Sequence, residues 1–286
     1  MANSFSLKTI ELTITLGKGV FSEGGNTKTI EGLACDATIQ KPGLPHKNSA
    51  RVRVWGLSYE DLAELTMLSF RPLEAQHNII SIKAGEKDKP LSLVFEGEIV
   101  SAHADFNQAP DVSMEFTAQS GNYPMKISAP VFTVEGEVPV TDLFSRFAAM
   151  SGYSFINEGV TASVKNAWFP GSPVDKMLKL ARDINCELII DDGQVVIMPA
   201  GAARRGDAVF LSPETGLIGY PTFNQDGISC RSLFNPALIS GGLIKVKSMV
   251  PKASGTWRIT NLTHHLVAHS PSGGSWESQI EAAYIE

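Results

Sequence analysis

A chain of 286 residues is long enough for two or three domains, each with its own buried core. With 43% hydrophobic and 19% charged residues it has the balance of a globular protein, which excludes a disordered chain. A net charge of −6 argues against a nucleic-acid binder, because phosphate recognition needs a concentrated basic surface, and the densest basic spots are only Arg204-Arg205 and Lys245-Val-Lys247.

The opening MANSFSLKTIELTITLG alternates apolar and polar residues, which predicts a strand and not a signal peptide. No apolar run approaches the roughly 18 residues that span a membrane. Three cysteines, Cys35, Cys186 and Cys230, lie far apart with no CxxC pair. That usage fits thiols serving as small core residues in a reducing compartment, so synthesis in a cytoplasm is expected.

In LKTIELTITL the apolar positions from Ile10 onward repeat every second residue, so one strand face is buried. ACDATIQKPG and ARVRVWGLS are further strands, joined by the Pro-rich loop KPGLPHKNS. A helix follows, with Ser58 as N-cap and Asp61 at the capping-box position; Leu57 is placed to staple onto Leu62. Leu62, Leu65 and either Met67 or Leu68 form its apolar stripe. HNIISIKAG, LSLVFEGEIVSAHADF and VSMEFTAQSG return to strand, so the chain to about Tyr123 reads as an antiparallel barrel or sandwich carrying one helix.

The middle differs. VTDLFSRFAAMSGY predicts a helix capped by Thr141 and ended near Gly152, with Leu143, Phe144, Phe147, Ala148 and Met150 on its apolar face. GSPVDKMLKLARDINC predicts a second helix, with Ser172 at the cap and Pro173 at its first position. CELIIDDGQVVIMP is a hairpin turning at Asp192-Gly193. AGAARRGD serves as a linker, after which GISCRSLF, LIKVKSMV, TWRITNLTHHLVAH and SWESQIEAAYI are strands.

Half of the six histidines sit in the stretch TWRITNLTHHLVAHS, at His264, His265 and His269. On a helix His265 and His269 would have a zinc spacing, but the segment is rich in β-branched residues and lacks a cap. On a strand His264 and His265 point to opposite faces, and His265 and His269 stand about 13 Å apart at ~3.3 Å per residue. They read as sheet histidines, not a metal site. Asp191-Asp192 is explained by the hairpin turn, and Glu96 and Glu98 by a solvated strand face. No GxSxG, HExxH, Walker loop or GxGxxG occurs. The tryptophans at 55, 168, 257 and 276 are dispersed, as core or interface packing requires and a carbohydrate platform does not.

One stretch is more specific. In LSPETGLIGYPTFNQDGISCRSLFNPALISGGLIKVKS, residues 211–248, a GLIGYP turn, a strand ending in CRSLFNP, an ISGG turn and an IKVKS strand follow in order; GTWRITNLTHHL and GGSWESQIEA come after them. This arrangement resembles the C-terminal tube domain of baseplate hub proteins of contractile-tailed bacteriophages. IEGLACDATIQKPGLPHKNSARVRVWGLSYEDLAEL resembles the first tube domain of the same family.

The resemblance implies a mainly β protein in which two tail-tube-like β-barrel domains, 1–125 and 201–286, flank a small α+β domain at 126–200. It implies a structural virion protein of the tail baseplate, not an enzyme, assembled in the host bacterial cytoplasm. As such a hub it would be a homotrimer joining the hexameric tail tube to the trimeric spike and nucleating the tube, with tape-measure and wedge proteins as further neighbours. It implies no cofactor, no metal, no specific nucleic-acid binding although DNA would pass through the bore, and no membrane insertion. Two Pro/Gly-rich loops are the expected contacts, Lys41, Pro42, Gly43, Leu44 and Pro45 in one and Gly219, Tyr220, Pro221, Thr222 and Phe223 in the other. The alternatives are a hub of a non-phage contractile injection system, a metal-dependent cell-wall hydrolase using the histidines, and a carbohydrate- or receptor-binding β protein.

Overall fold

The computed structural model describes residues 6–43, 46–66, 68, 77–107, 109–271 and 273–285. The first region runs β1 (Lys8–Thr15), β2 (Thr27–Ile30), β3 (Cys35–Lys41), β4 (Ser49–Trp55), α1 (Tyr59–Thr66), β5 (Ile79–Glu86), β6 (Ser92–Asp105) and β7 (Ser113–Gln119). The middle holds α2 (Asn122–Lys126), β8 (Phe132–Thr133), β9 (Glu137–Pro139), α3 (Val140–Met150), β10 (Ser154–Asn157), β11 (Ser163–Lys165), β12 (Trp168–Phe169), α4 (Pro173–Asp183), β13 (Cys186–Asp191) and β14 (Gln194–Pro199). The last region is all strand: β15 (Val209–Leu211), β16 (Leu217–Phe223), β17 (Gly227–Leu233), β18 (Leu243–Val246), β19 (Gly255–Ala268) and β20 (Trp276–Tyr284).

The two outer regions do not form separate closed barrels. Their strands make one 13-stranded sheet in the order β16-β17-β20-β19-β3-β4-β7-β6-β5-β1-β2, with β18 on β19 and β15 on β18. The reason is the length of β19. One edge of it pairs β20; the other pairs β18 over Gly255–Arg258 and β3 over Leu262–Ala268. Sheet curvature returns β1 to the far end of β19, where Thr9 Oγ1 lies 3.3 Å from His269 Nε2. Among the described residues no ladder joins these two strands, so the sheet curls without closing.

Three apolar cores follow the chain. The first gathers the alternating inward residues of β1 and β3 to β7, with Leu62 and Leu65 of α1, and borrows Leu266 and Ala268 from β19. Leu68 packs at its margin, while Met67 lies outside the described residues. The second lies between α3, α4 and the three-stranded sheet β10-β14-β13, around Phe144, Phe147 and Phe169. The third is built by β15 to β20.

Local signals explain most helix starts. At α1 the Asp61 N–H donates to Ser58 Oγ at 3.1 Å. At α4 the reciprocal capping box is complete: the Asp175 N–H donates to Ser172 Oγ, and the Ser172 N–H donates to Asp175 Oδ2. The expected Thr141 cap is not used. α3 begins at Val140, and its first N–H donates to the Ala162 carbonyl at 2.9 Å, so a neighbouring strand end satisfies the group a cap would have served.

Gly227 opens β17 at φ +153°, and a Cβ there would collide with the Ala282 carbonyl oxygen of β20. Gly227→Ala therefore costs at least about 2 kcal/mol, from backbone strain plus the broken ladder. Thermal melting of the variant checks this; a Tm within a degree of the parent would refute it.

Candidate functional site

The histidines come first, because they were the strongest sequence hint of chemistry. β19 carries a bulge at Thr260, between Ile259 and Asn261. Before it Trp257 and Ile259 face the core; after it Leu262, His264, Leu266 and Ala268 do. The extra residue shifts the alternation by one, and that shift is what buries His264 and turns His265 out. His264 is 1% exposed, with Nδ1 2.8 Å from Ser278 Oγ and its ring edge-on to Phe234. Burial, reinforced by the nearby Lys41 charge and opposed by Asp191, lowers its pKa to about 3. His265 sits on the opposite face, 3.5 Å from Thr38 Oγ1. Among the described residues no group of three His, Cys, Asp or Glu side chains is placed to hold a metal ion.

The loop after β3 departs from the expected exposed contact. Lys41 is 3% exposed. Its ammonium lies 2.7 Å from Asp191 Oδ1 and 2.8 Å from Asp192 Oδ2, the two carboxylates of the β13–β14 turn. Asn48 Nδ2 donates to Asp191 Oδ1 at 3.0 Å and to the Ile190 carbonyl at 3.2 Å, and the Glu96 N–H donates to Asp192 Oδ1 at 2.9 Å. Arg204 stands 3.6 Å from Asp191 on the other side. Burial opposes the Lys41 charge, but the two carboxylates outweigh it and hold the ammonium above its ordinary pKa. This cluster fastens the α+β unit to the large sheet. Pro42 and Gly43 are half-buried beside it, and Leu44 and Pro45 lie outside the described residues.

The acidic pair on β6 is not a solvated face. Glu98 is buried; Oε1 accepts from the Tyr153 hydroxyl at 2.7 Å and Oε2 from the Asn122 N–H at 3.0 Å. Glu96 accepts from Ser81 Oγ at 2.7 Å. Burial and then Glu98 push the Tyr153 hydroxyl pKa upward, so it stays protonated as a donor. Glu98 is thus a second fastener between the same two units.

Sequence reasoning missed both fasteners, although one signal was present. Cys35, Ala37 and Ile39 share the buried face of β3, and the same period carries to Lys41. A lysine on a core face requires a carboxylate partner.

The stretch Gly219–Phe223 is not a turn; it is the middle and end of β16, the terminal strand of the large sheet. Its register with β17 jumps from Ile218↔Arg231 to Thr222↔Ser229, so Gly219, with φ +68°, Tyr220 and Pro221 bow out of the ladder. Tyr220 is 67% and Phe223 54% exposed, whereas Pro221 is buried. A bulge and a proline without an N–H blunt the edge against further backbone pairing and leave the aromatic rings as its exposed contact groups.

The structure is thus a curled β sheet carrying a fastened α+β insert, with an aromatic sheet edge. Solved structures share the fold. The chain is similar to the tail protein from Neisseria meningitidis MC58, at 10% identity over 96% of each chain and a TM-score of 0.63. It is equally similar to the 43 kDa tail protein of prophage MuSo2 from Shewanella oneidensis, at 10% identity, 96% of each chain and TM-score 0.63. The E. coli c3393 protein, a component of the type VI secretion system, aligns at 12% identity over 88% of this chain and 74% of its own, with TM-score 0.57. Among curated proteins compared by sequence, none matches significantly. The profile of the family described as Baseplate hub gp41 matches residues 9–272, which takes in the first β region, the insert, the last region as far as β19 and the β3–β19 ladder. The chain belongs to the baseplate hub gp41 family and is a structural component of a phage-type tail baseplate.

Proposed function

We propose that the chain is a homotrimeric hub that joins the hexameric tail tube to the trimeric spike and nucleates the tube. The observation that carries this reading is the pairing of two β units, built on the first and third cores, in one continuous sheet. Three such chains present six β units, which matches a six-fold tube at one end while keeping three-fold symmetry for a spike at the other. The Tyr220 and Phe223 edge and the loop that follows Lys41, from Pro42 to Pro45, are the contacts between copies or to the tube, while Lys41 itself serves the internal ion pair. Tape-measure and wedge proteins are further neighbours, and the host bacterial cytoplasm is the place of assembly. A contractile injection system outside phages is the second reading, supported by the likeness in fold to the type VI secretion component.

Light scattering on the purified chain tests the reading: a species of three chain masses that persists on dilution is expected, and a strict monomer overturns it. Replacing residues 219–223 with Gly/Ser is expected to abolish trimerisation or tube assembly while the monomer's far-UV circular dichroism stays unchanged. Assembly at the parent's level would remove this edge from the contact.

A further inference from the structure

Between the α+β unit and the large sheet lies a cleft of about 670 Å³. One wall is the free edge of β13, the other is β19 at Arg258–Thr260, and Leu178 and Ala181 of α4 form the roof. β13 is the end strand of its sheet and pairs only with β14 among the described residues.

The turn decides which backbone groups face the cleft. Asp192 and Gly193 both have positive φ, 48° and 74°, in a two-residue hairpin turn closed by Asp191↔Gln194. In such a hairpin the closing pair exchanges hydrogen bonds, and every second residue does so after it. Asp191, Ile189 and Glu187 therefore bond to β14, while Ile190, Leu188 and Cys186 turn their N–H and C=O outward. The Ile190 carbonyl confirms this phase, because it accepts from Asn48. No backbone partner meets Leu188 or Cys186 among the described residues. The cleft thus holds two outward residues, with four backbone groups in the register of a missing strand.

Its charge is as specific. Arg258 pairs with Glu187, yet its buried Nε has no acceptor. Arg182 at the rim has no ion pair among the described residues and donates only to the Leu178 carbonyl of its own helix. Two guanidinium groups against one carboxylate leave a surplus of positive charge over an apolar roof.

We propose that this cleft binds an extended segment of a partner protein, added as a fourth strand on β13, with an apolar side chain against Leu178 and Ala181 and an acidic side chain on Arg258. Strand addition supplies affinity through the main chain, and the alternating pockets supply selectivity. The occupant is a peptide of alternating apolar and acidic residues, and this holds whether or not the chain is a trimeric hub.

Hydrogen exchange and titration with synthetic peptides test it on the full chain. In the free protein the Cys186 and Leu188 amides should exchange faster than those of Glu187 and Ile189. A capped hexapeptide alternating valine and glutamate should slow both outward amides. A valine–lysine peptide should bind at least about tenfold more weakly, the worth of one charge pair, and a valine–glutamate peptide N-methylated on its pairing amides should not bind. The Arg258→Met, Glu187→Gln pair of substitutions should erase the preference for glutamate, with near-UV circular dichroism confirming an intact fold. Equal binding of both charge types, or no binding at millimolar peptide, overturns the proposal. So does protection of Leu188 in the free protein, which would mean the edge is already covered; if that protection fell on dilution, the occupant would be a second copy of this chain.

Discussion

Lys41→Met is expected to lower stability by about 3–5 kcal/mol, because it strands the buried Asp191 and the half-buried Asp192 carboxylates without their cation. The methylene stem is conserved in volume, so little of the loss comes from packing. What is lost is the charge held 2.7 and 2.8 Å from Asp191 and Asp192. Arg204, at 3.6 Å from Asp191 alone, replaces it only in part. In a chain of this length that corresponds to a Tm lower by on the order of 10 °C. The combination Lys41→Met, Asp191→Asn, Asp192→Asn should recover part of the loss, since it removes the stranded carboxylate charges together with their cation, although Arg204 then keeps its charge without Asp191. Thermal and urea unfolding of both variants decide it. If the triple variant is no more stable than the single one, the charges are not what holds the α+β unit in place.

The second large effect is a dependence on pH set by His264. Its folded-state pKa of about 3 lies below the ordinary 6.5, so the unfolded chain takes up the proton first as pH falls. The stability contributed by the neutral ring is complete above about pH 6.5 and drains as pH falls towards 3. Between pH 6.5 and 5 the His264 loss is about 1–2 kcal/mol at ~1.4 kcal/mol per unit, opposed in the same window by Asp192, whose carboxyl burial pushes up to about 6 and which therefore takes up its proton in the folded state first. Replacing the pair, His264→Leu with Ser278→Ala, removes the titrating ring and its partner together. Urea midpoints measured across this window should fall towards acid by that amount more in the parent than in the double variant, Asp192 being common to both. An unchanged slope would assign the acid sensitivity to other groups.

Local patterns were legible in the residues wherever one element carried its own instruction. The Ser172 cap with Pro173 behind it and the Asp192-Gly193 turn form as their residues dictate. The opposite facing of His264 and His265 also follows from strand period. What escaped was pairing at long range. Asp191 and Asp192 read as turn residues and Lys41 as a loop contact, because their partnership spans about 150 positions. Glu98 read as solvated for the same reason: Tyr153, which buries its charge, belongs to another unit. GLIGYP read as a turn because Gly and Pro are turn residues; the bulge shows the same residues blunting a sheet edge instead. The joining of the outer regions into one sheet was hidden too, because no local signal says that β3 needs β19.

That last ladder governs how the protein is made. His265 of β19 faces Thr38 of β3 across 227 positions of sequence. A ribosome releases β3 more than 200 residues before β19, so throughout that interval one side of β3 has no native partner. The first core lacks Leu266 and Ala268 for the same interval. The α+β insert, whose core among the described residues draws on Met125 to Ile197, is complete before β19 emerges. The first core is therefore completed by a late strand closing onto a waiting edge, and the nascent chain is open to mispairing with another copy at β3 until it does.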